Sequence, residues 1–207
     1  MVARYGLAPP VDLDRVVRDF ADVEHDDVPA GCDGLVISLH GPRPRPLVIL
    51  DRAQSPVRRR FTLAHELGHI LLPWHLGSTL ACNANQSLFD VEGDHVADAE
   101  REANRFAADL LVPPAWLADH VAEVRDERVE PLLQALVAAH VSAHVACLRL
   151  LEILPPGHVF AMLDRTGSVA LSGQTPETRI PPPPRGVAPE RSLLDRFAAH
   201  VEEIRFG

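Results

Sequence analysis

The sequence predicts an α+β fold: a small β-sheet beside a pair of helices, followed by a helix-turn-helix-like helical subdomain. Three observations predict it. Two short β-branched runs, GLVISLH (34–40) and PLVILD (46–51), flank a proline-rich GPRPRP, and such runs bounded by turn residues form strands. Two stretches with apolar residues at helical spacing follow, one ending before Pro73 and one before Pro113. VEPLLQALVAAHVSAHVACLRLLEIL (129–154) then divides into two helices near Val141 and Ser142.

The elements follow in order. VDLDRVVRDFAD (11–22) places Val11, Leu13, Val16, Val17 and Phe20 on one helical face. A Gly- and Asp-rich turn region leads into the strand pair. Ser55 supplies an N-cap and Pro56 a first helical position. That helix ends before Pro73, which disfavours helical geometry in Leu72. Residues 76–94, rich in Gly, Ser, Asn and Asp, are expected to be irregular. A second helix spans about His95 to Val112, and Pro113-Pro114 stops it. HVFAML (158–163) and SVALSG (168–173) flank DRTG as a hairpin. The polar, proline-rich run 174–190 reads as a semi-extended linker. Residues 191–207 carry a stripe of Leu193, Leu194, Phe197, Val201 and Ile204, the pattern of a helix that docks on the body.

Composition narrows the function. A formal net charge of -9 and a sequence pI near 5.6 argue against a phosphate-backbone binder. MVARYGLAPPVDLD has no apolar core of a signal peptide. No run reaches the roughly 18 apolar residues of a membrane span. Cys32, Cys82 and Cys147 are odd in number and widely spaced, as expected of reduced thiols in a cytoplasmic chain.

The chemistry concentrates in RRRFTLAHELGHILLPWH (58–75). His65 and His69 lie four apart, so a helix points both at one ion. Glu66 sits beside that ion, placed to take a proton from an attacking water. The surrounding apolar helix would not bury two histidines and a glutamate without compensating partners, and a metal supplies them. A third protein ligand is needed, with a fourth position left open.

The residues offer three candidates. His75 lies where some zinc enzymes return a third histidine through a glycine turn, but Leu72 occupies that glycine position and Pro73 follows it. Glu100 and Asn104 share a helical face with Ala103, Ala107 and Leu111. A carboxylate there can bind the ion, while Asn104 hydrogen-bonds a ligating histidine. Glu102 is the rival, on a face nearer Phe106 and Asp109. Glu100 is preferred, because small Ala103, Ala107 and Ala108 let its face approach the first helix.

RRRFTLAHELGHILL followed by EREANRFAADLLVPPAWL resembles the ImmA/IrrE-type metallo-endopeptidases. Both of that family's motifs stand here in order. The likeness covers residues 5–118 well and 129–154 more loosely, and departs from the common pattern at Pro73-Trp74 and the polar loop beyond. It implies a zincin-like, gluzincin-type domain over 1–118 and a helix-turn-helix-like subdomain over 119–157. A hairpin (158–173), the linker (174–190) and a C-terminal helix (191–207) complete the expected organisation. It further implies His65, His69 and Glu100 as zinc ligands, manganese being acceptable to the same donors, and Glu66 as general base. The implied activity is cleavage of a helix-turn-helix repressor in a stress response or in mobile-element control. His75, His95 and Tyr5 are candidates to stabilise the oxyanion.

Two readings compete with a peptidase. One is a DNA-binding regulator with a structural or vestigial metal site; the other is a toxin–antitoxin partner that binds a repressor without cutting it. Over 119–154 the acidic residues outnumber Arg125, Arg128 and Arg149, so DNA binding is not expected. His140 and His144 mimic a ligand pair, but the helix break falls between them.

Overall fold

In the computed structural model, which describes residues 5–37, 44–75, 79–82, 95–123, 130–164 and 166–188, a four-stranded sheet supports one buried helix. The chain separates into two units, 1–114 with 139–141, and 115–138 with 142–207.

The first unit opens with α1 (Leu13–Val17), capped by Asp12, whose side chain accepts from the Arg15 N–H. Leu13, Val16 and Val17 are buried. The helix is shorter than the periodicity predicts. It tightens into turns on the Val17 carbonyl and delivers Ala21 to a sheet.

Strand β1 (Asp22–Asp26) falls where a turn region is expected. Strands β2 (Gly34–Ile37) and β3 (Leu47–Asp51) form the expected antiparallel pair, with Gly34 opposite Leu50 and Ile37 opposite Leu47. β1 runs parallel to β3, and β4 (Thr79–Cys82) runs antiparallel to β2, giving the order β1-β3-β2-β4. β4 corrects the expectation that 76–94 is wholly irregular. Its ladder comes from β2, far away in sequence.

Helix α2 (Pro56–Leu71) begins at the Ser55 cap and ends at Leu72, which is extended (φ -90, ψ 104) before Pro73. It packs on β2 and β3 on one side and on α3 (His95–Leu111) on the other. A helix covered on several sides loses its polar face. All nine residues from Phe61 to Leu67, Gly68 and His69 are accordingly buried.

Pro113-Pro114 ends α3 and also starts a helix the sequence reading omits. Pro114 is the first residue of α4 (Pro114–Glu123), a position that tolerates a missing N–H.

The second unit contains α5 (Glu130–Ala138) and α6 (Ala143–Ile153), which pack together. The break between them falls at the expected place, and Ser142 caps α6 by accepting from the Val145 N–H. His140 is exposed in a left-handed conformation (φ 56), and the His144 side chain lies outside the described residues. Arg149 is 1% exposed and bonds Glu152 at 2.5 Å. Strands β5 (Val159–Leu163) and β6 (Val169–Gln174) form a hairpin against α6.

The described part of the proline-rich run contains turns at 176–177 and 185–186 and bonds back to β6. The Ser172 hydroxyl donates to the Pro183 carbonyl at 2.7 Å, the Val169 N–H donates to the Val187 carbonyl, and the Gly186 N–H donates to the Val169 carbonyl. The C-terminal helix expected over 191–207 lies outside the described residues. No helix among those described is long and apolar enough to cross a membrane.

Candidate metal centre

Helix α2 presents His65 and His69 one turn apart, and α3 presents Glu100 and Asn104 likewise. The helices meet closely because Gly68 has no side chain. A Cβ there would lie 3.2 Å from the Ala103 Cα and 3.2 Å from Phe106 Cδ1.

Three donor residues converge. His65 Nε2 lies 3.1 Å from His69 Nε2 and 3.2 Å from Glu100 Oε2, and His69 Nε2 lies 3.3 Å from Glu100 Oε1. Ligands about 2.0–2.1 Å from a tetrahedral ion stand about 3.3–3.4 Å apart, and a triangle of the two ring nitrogens and one Glu100 oxygen is compact enough to suit one metal. His65 and His69 are 0% exposed and the Glu100 side chain 12%.

The charges fit as well. Burial alone would raise the Glu100 carboxyl, but contact with His65 and His69 holds it at about 2. Burial opposes a charge on His65, yet Glu100, Glu66 and Asn104 outweigh it and the pKa rises. On His69 burial wins, helped by neighbouring His65 and His75, and the pKa falls.

Outside the triangle, the His65 Nδ1–H donates to Asn104 Oδ1 at 2.8 Å. His69 Nδ1 meets His75 Nδ1 at 2.8 Å, and His75 Nε2 meets Glu102 Oε2 at 2.9 Å. The Trp74 indole N–H donates to the same Glu102 oxygen. Glu102 and His75 therefore lie outside the triangle, and His75 reaches the far nitrogen of His69. The Tyr5 hydroxyl donates to Asp19 at 2.7 Å, and the His95 side chain is outside the described residues.

Glu66 is 0% exposed, and a Cβ on Gly34 of β2 would come within 3.0 Å of its Oε1. The end of β2 is tied to the start of α2 beside it. Asp33 accepts from Arg58 Nε at 2.9 Å, Arg58 Nη2 at 2.7 Å and Gln54 Nε2 at 2.9 Å, and Gln54 Nε2 also reaches Thr62 Oγ1 at 3.2 Å. Sequence reasoning missed Gly34, Gly68 and this polar tie. A glycine inside an apolar helix, facing an alanine-rich helix, was the available signal for Gly68.

A small mixed sheet backing a buried H-E-x-x-H helix, with a carboxylate supplied by a second helix, has the makings of a metallopeptidase domain. The family model described as Peptidase_M78, IrrE N-terminal-like domain, matches residues 33–151, and the chain belongs to that family. The match takes in both halves of the centre. Comparison with curated proteins gives no match.

Proposed function

We propose that the protein is a zinc-dependent endopeptidase that hydrolyses a peptide bond in a helix-turn-helix transcriptional repressor, relieving repression in a stress response or in mobile-element control. One observation carries the peptidase reading: a buried carboxylate, Glu66, adjoins a histidine of a three-donor cluster. A purely structural site has no need of a base and closes its fourth position. Family membership supports the repressor as substrate, and such a substrate lies with the DNA in the cytoplasm.

His65, His69 and Glu100 would hold the ion, with Asn104 fixing the ring of His65. Bound zinc, or manganese on the same donors, supplies Lewis-acid chemistry that acidifies water and polarises the scissile carbonyl. Glu66 takes the proton of the attacking water, holds it on its carboxyl and delivers it to the leaving amine. Its burial keeps bulk water from competing for that proton. The inward turn of Arg149 removes the main cation of α6 from DNA contact, which favours cleavage over DNA binding.

Glu66→Gln tests the assignment. The variant keeps one zinc per chain, and cleavage of the repressor encoded beside its gene falls by about 10²–10⁴-fold. Unchanged cleavage would remove Glu66 from the base role. An intact repressor, alongside cleavage of an unstructured peptide by the wild type, would overturn the substrate and leave the peptidase.

A further inference from the structure

A chain of side chains leads from the protein surface to His69, and its hydrogen-bond roles can be assigned from its outer end. Glu102 Oε2 accepts from the Trp74 indole N–H, and a carboxylate only accepts. His75 Nε2, 2.9 Å away, therefore carries the proton. With the His75 proton on Nε2, the other nitrogen, Nδ1, serves as acceptor and the His69 Nδ1, 2.8 Å away, as donor. This leaves His69 Nε2 as the unprotonated nitrogen, and it is this atom that faces Glu100 and His65. His65 reaches the corresponding state by one step, donating from Nδ1 to Asn104.

We infer that His75 and Glu102 are positioning residues that hold His69 in its ligating tautomer and ring orientation and so set metal affinity, with Trp74 pinning Glu102. The inference rests on His69 being a ligand. The turn that makes it possible runs from Leu72 to His75: the His75 N–H bonds the Leu72 carbonyl at 3.0 Å and folds His75 back beneath α2. His75 is buried at 2% exposure, whereas the Glu102 side chain is 47% exposed. The two ends of the chain thus respond differently to substitution.

The test is competition of the full chain against a chromophoric chelator for zinc, with His69→Ala, His75→Ala, His75→Gln and Glu102→Ala. His69→Ala is expected to lose tight binding. His75→Ala weakens it by about 10–100-fold, and Glu102→Ala by about tenfold. His75→Gln, whose amide oxygen can accept from His69, regains most of the loss. Metal-free Glu102→Ala melts with the wild type, so its weaker zinc binding cannot come from a damaged fold. If His75→Ala does not fold, Glu102→Ala decides alone. Wild-type affinity in His75→Ala and Glu102→Ala, with binding lost in His69→Ala, overturns the positioning role and leaves the metal reading intact. His75→Gln as weak as His75→Ala overturns the acceptor role. A wild type that binds no zinc, or His69→Ala that binds it normally, overturns both readings.

Discussion

Gly68 on α2 and Ala103 on α3 stand so close that a methyl group between them would lie 3.2 Å from the Ala103 backbone. Backbone cannot swing aside as a side-chain tip can. Alanine at a helix interior normally gains about 1 kcal/mol over glycine. Overpacking costs about 1–3 kcal/mol, so the contact is expected to win. Gly68→Ala should destabilise the metal-free protein and spread the donor triangle. Urea unfolding and zinc titration check both effects, and an increase in stability would show that α3 yields freely.

Asn104→Ala removes the acceptor for the buried His65 Nδ1–H. The stranded donor costs about 1–3 kcal/mol of stability. Loss of the orienting bond weakens metal binding by about 10–100-fold. Asn104→Asp, which keeps an oxygen there, should recover most of the affinity. Isothermal titration of the three proteins with zinc separates these outcomes.

Asp33 gathers Arg58 and Gln54 at the junction of β2 and α2. Its removal as Asp33→Ala leaves a guanidinium without its carboxylate. The Arg58 side chain is 40% exposed, so water relieves part of the loss. The cost falls near 1–3 kcal/mol, below the 3–5 kcal/mol or so of a fully buried pair. Chemical denaturation should show that drop, and Glu66, packed beside Gly34, should lose activity with it.

Burial pushes the Cys147 thiol up to about 11, from 9.0 in an unfolded chain. Below pH 9 the thiol is neutral in both states and costs nothing. Above pH 9 the unfolded chain releases its proton first, so stability falls as pH rises through 11, by at most about 3 kcal/mol. Iodoacetamide at pH 8 should label Cys147 slowly in the native protein and quickly in urea, as peptide mass mapping would report. Equal rates would mean the thiol is open to solvent.

Local signals were legible in the sequence, and long-range pairings were not. Ser55, Pro56 and Pro73 marked the limits of α2 because caps and prolines act on adjacent backbone. The Ser142 cap marked α6 in the same way. β1 was missed because Asp22, Glu24 and Asp26 sit on an exposed edge strand with no apolar alternation to read. β4 and the packing of 183–187 on β6 depend on partners distant in sequence. α4 is hidden because the proline pair that stops α3 also supplies the first residue of the next helix. Within the centre, helical spacing set His65 beside His69. Facing Glu100 onto them required the approach at Gly68, and linking His75 to Glu102 required the turn after Leu72.

That turn makes chain length part of the chemistry. The Leu72 N–H bonds back to Gly68 and the His75 N–H to Leu72, so little slack remains between two imidazoles six positions apart. One residue added or deleted at Pro73-Trp74 would leave the short H-E-x-x-H untouched and carry His75 off the outer nitrogen of His69. The interval from His69 to His75 is therefore a counting rule. It separates chains that can wire that nitrogen to a carboxylate from chains that hold the same metal without the connection.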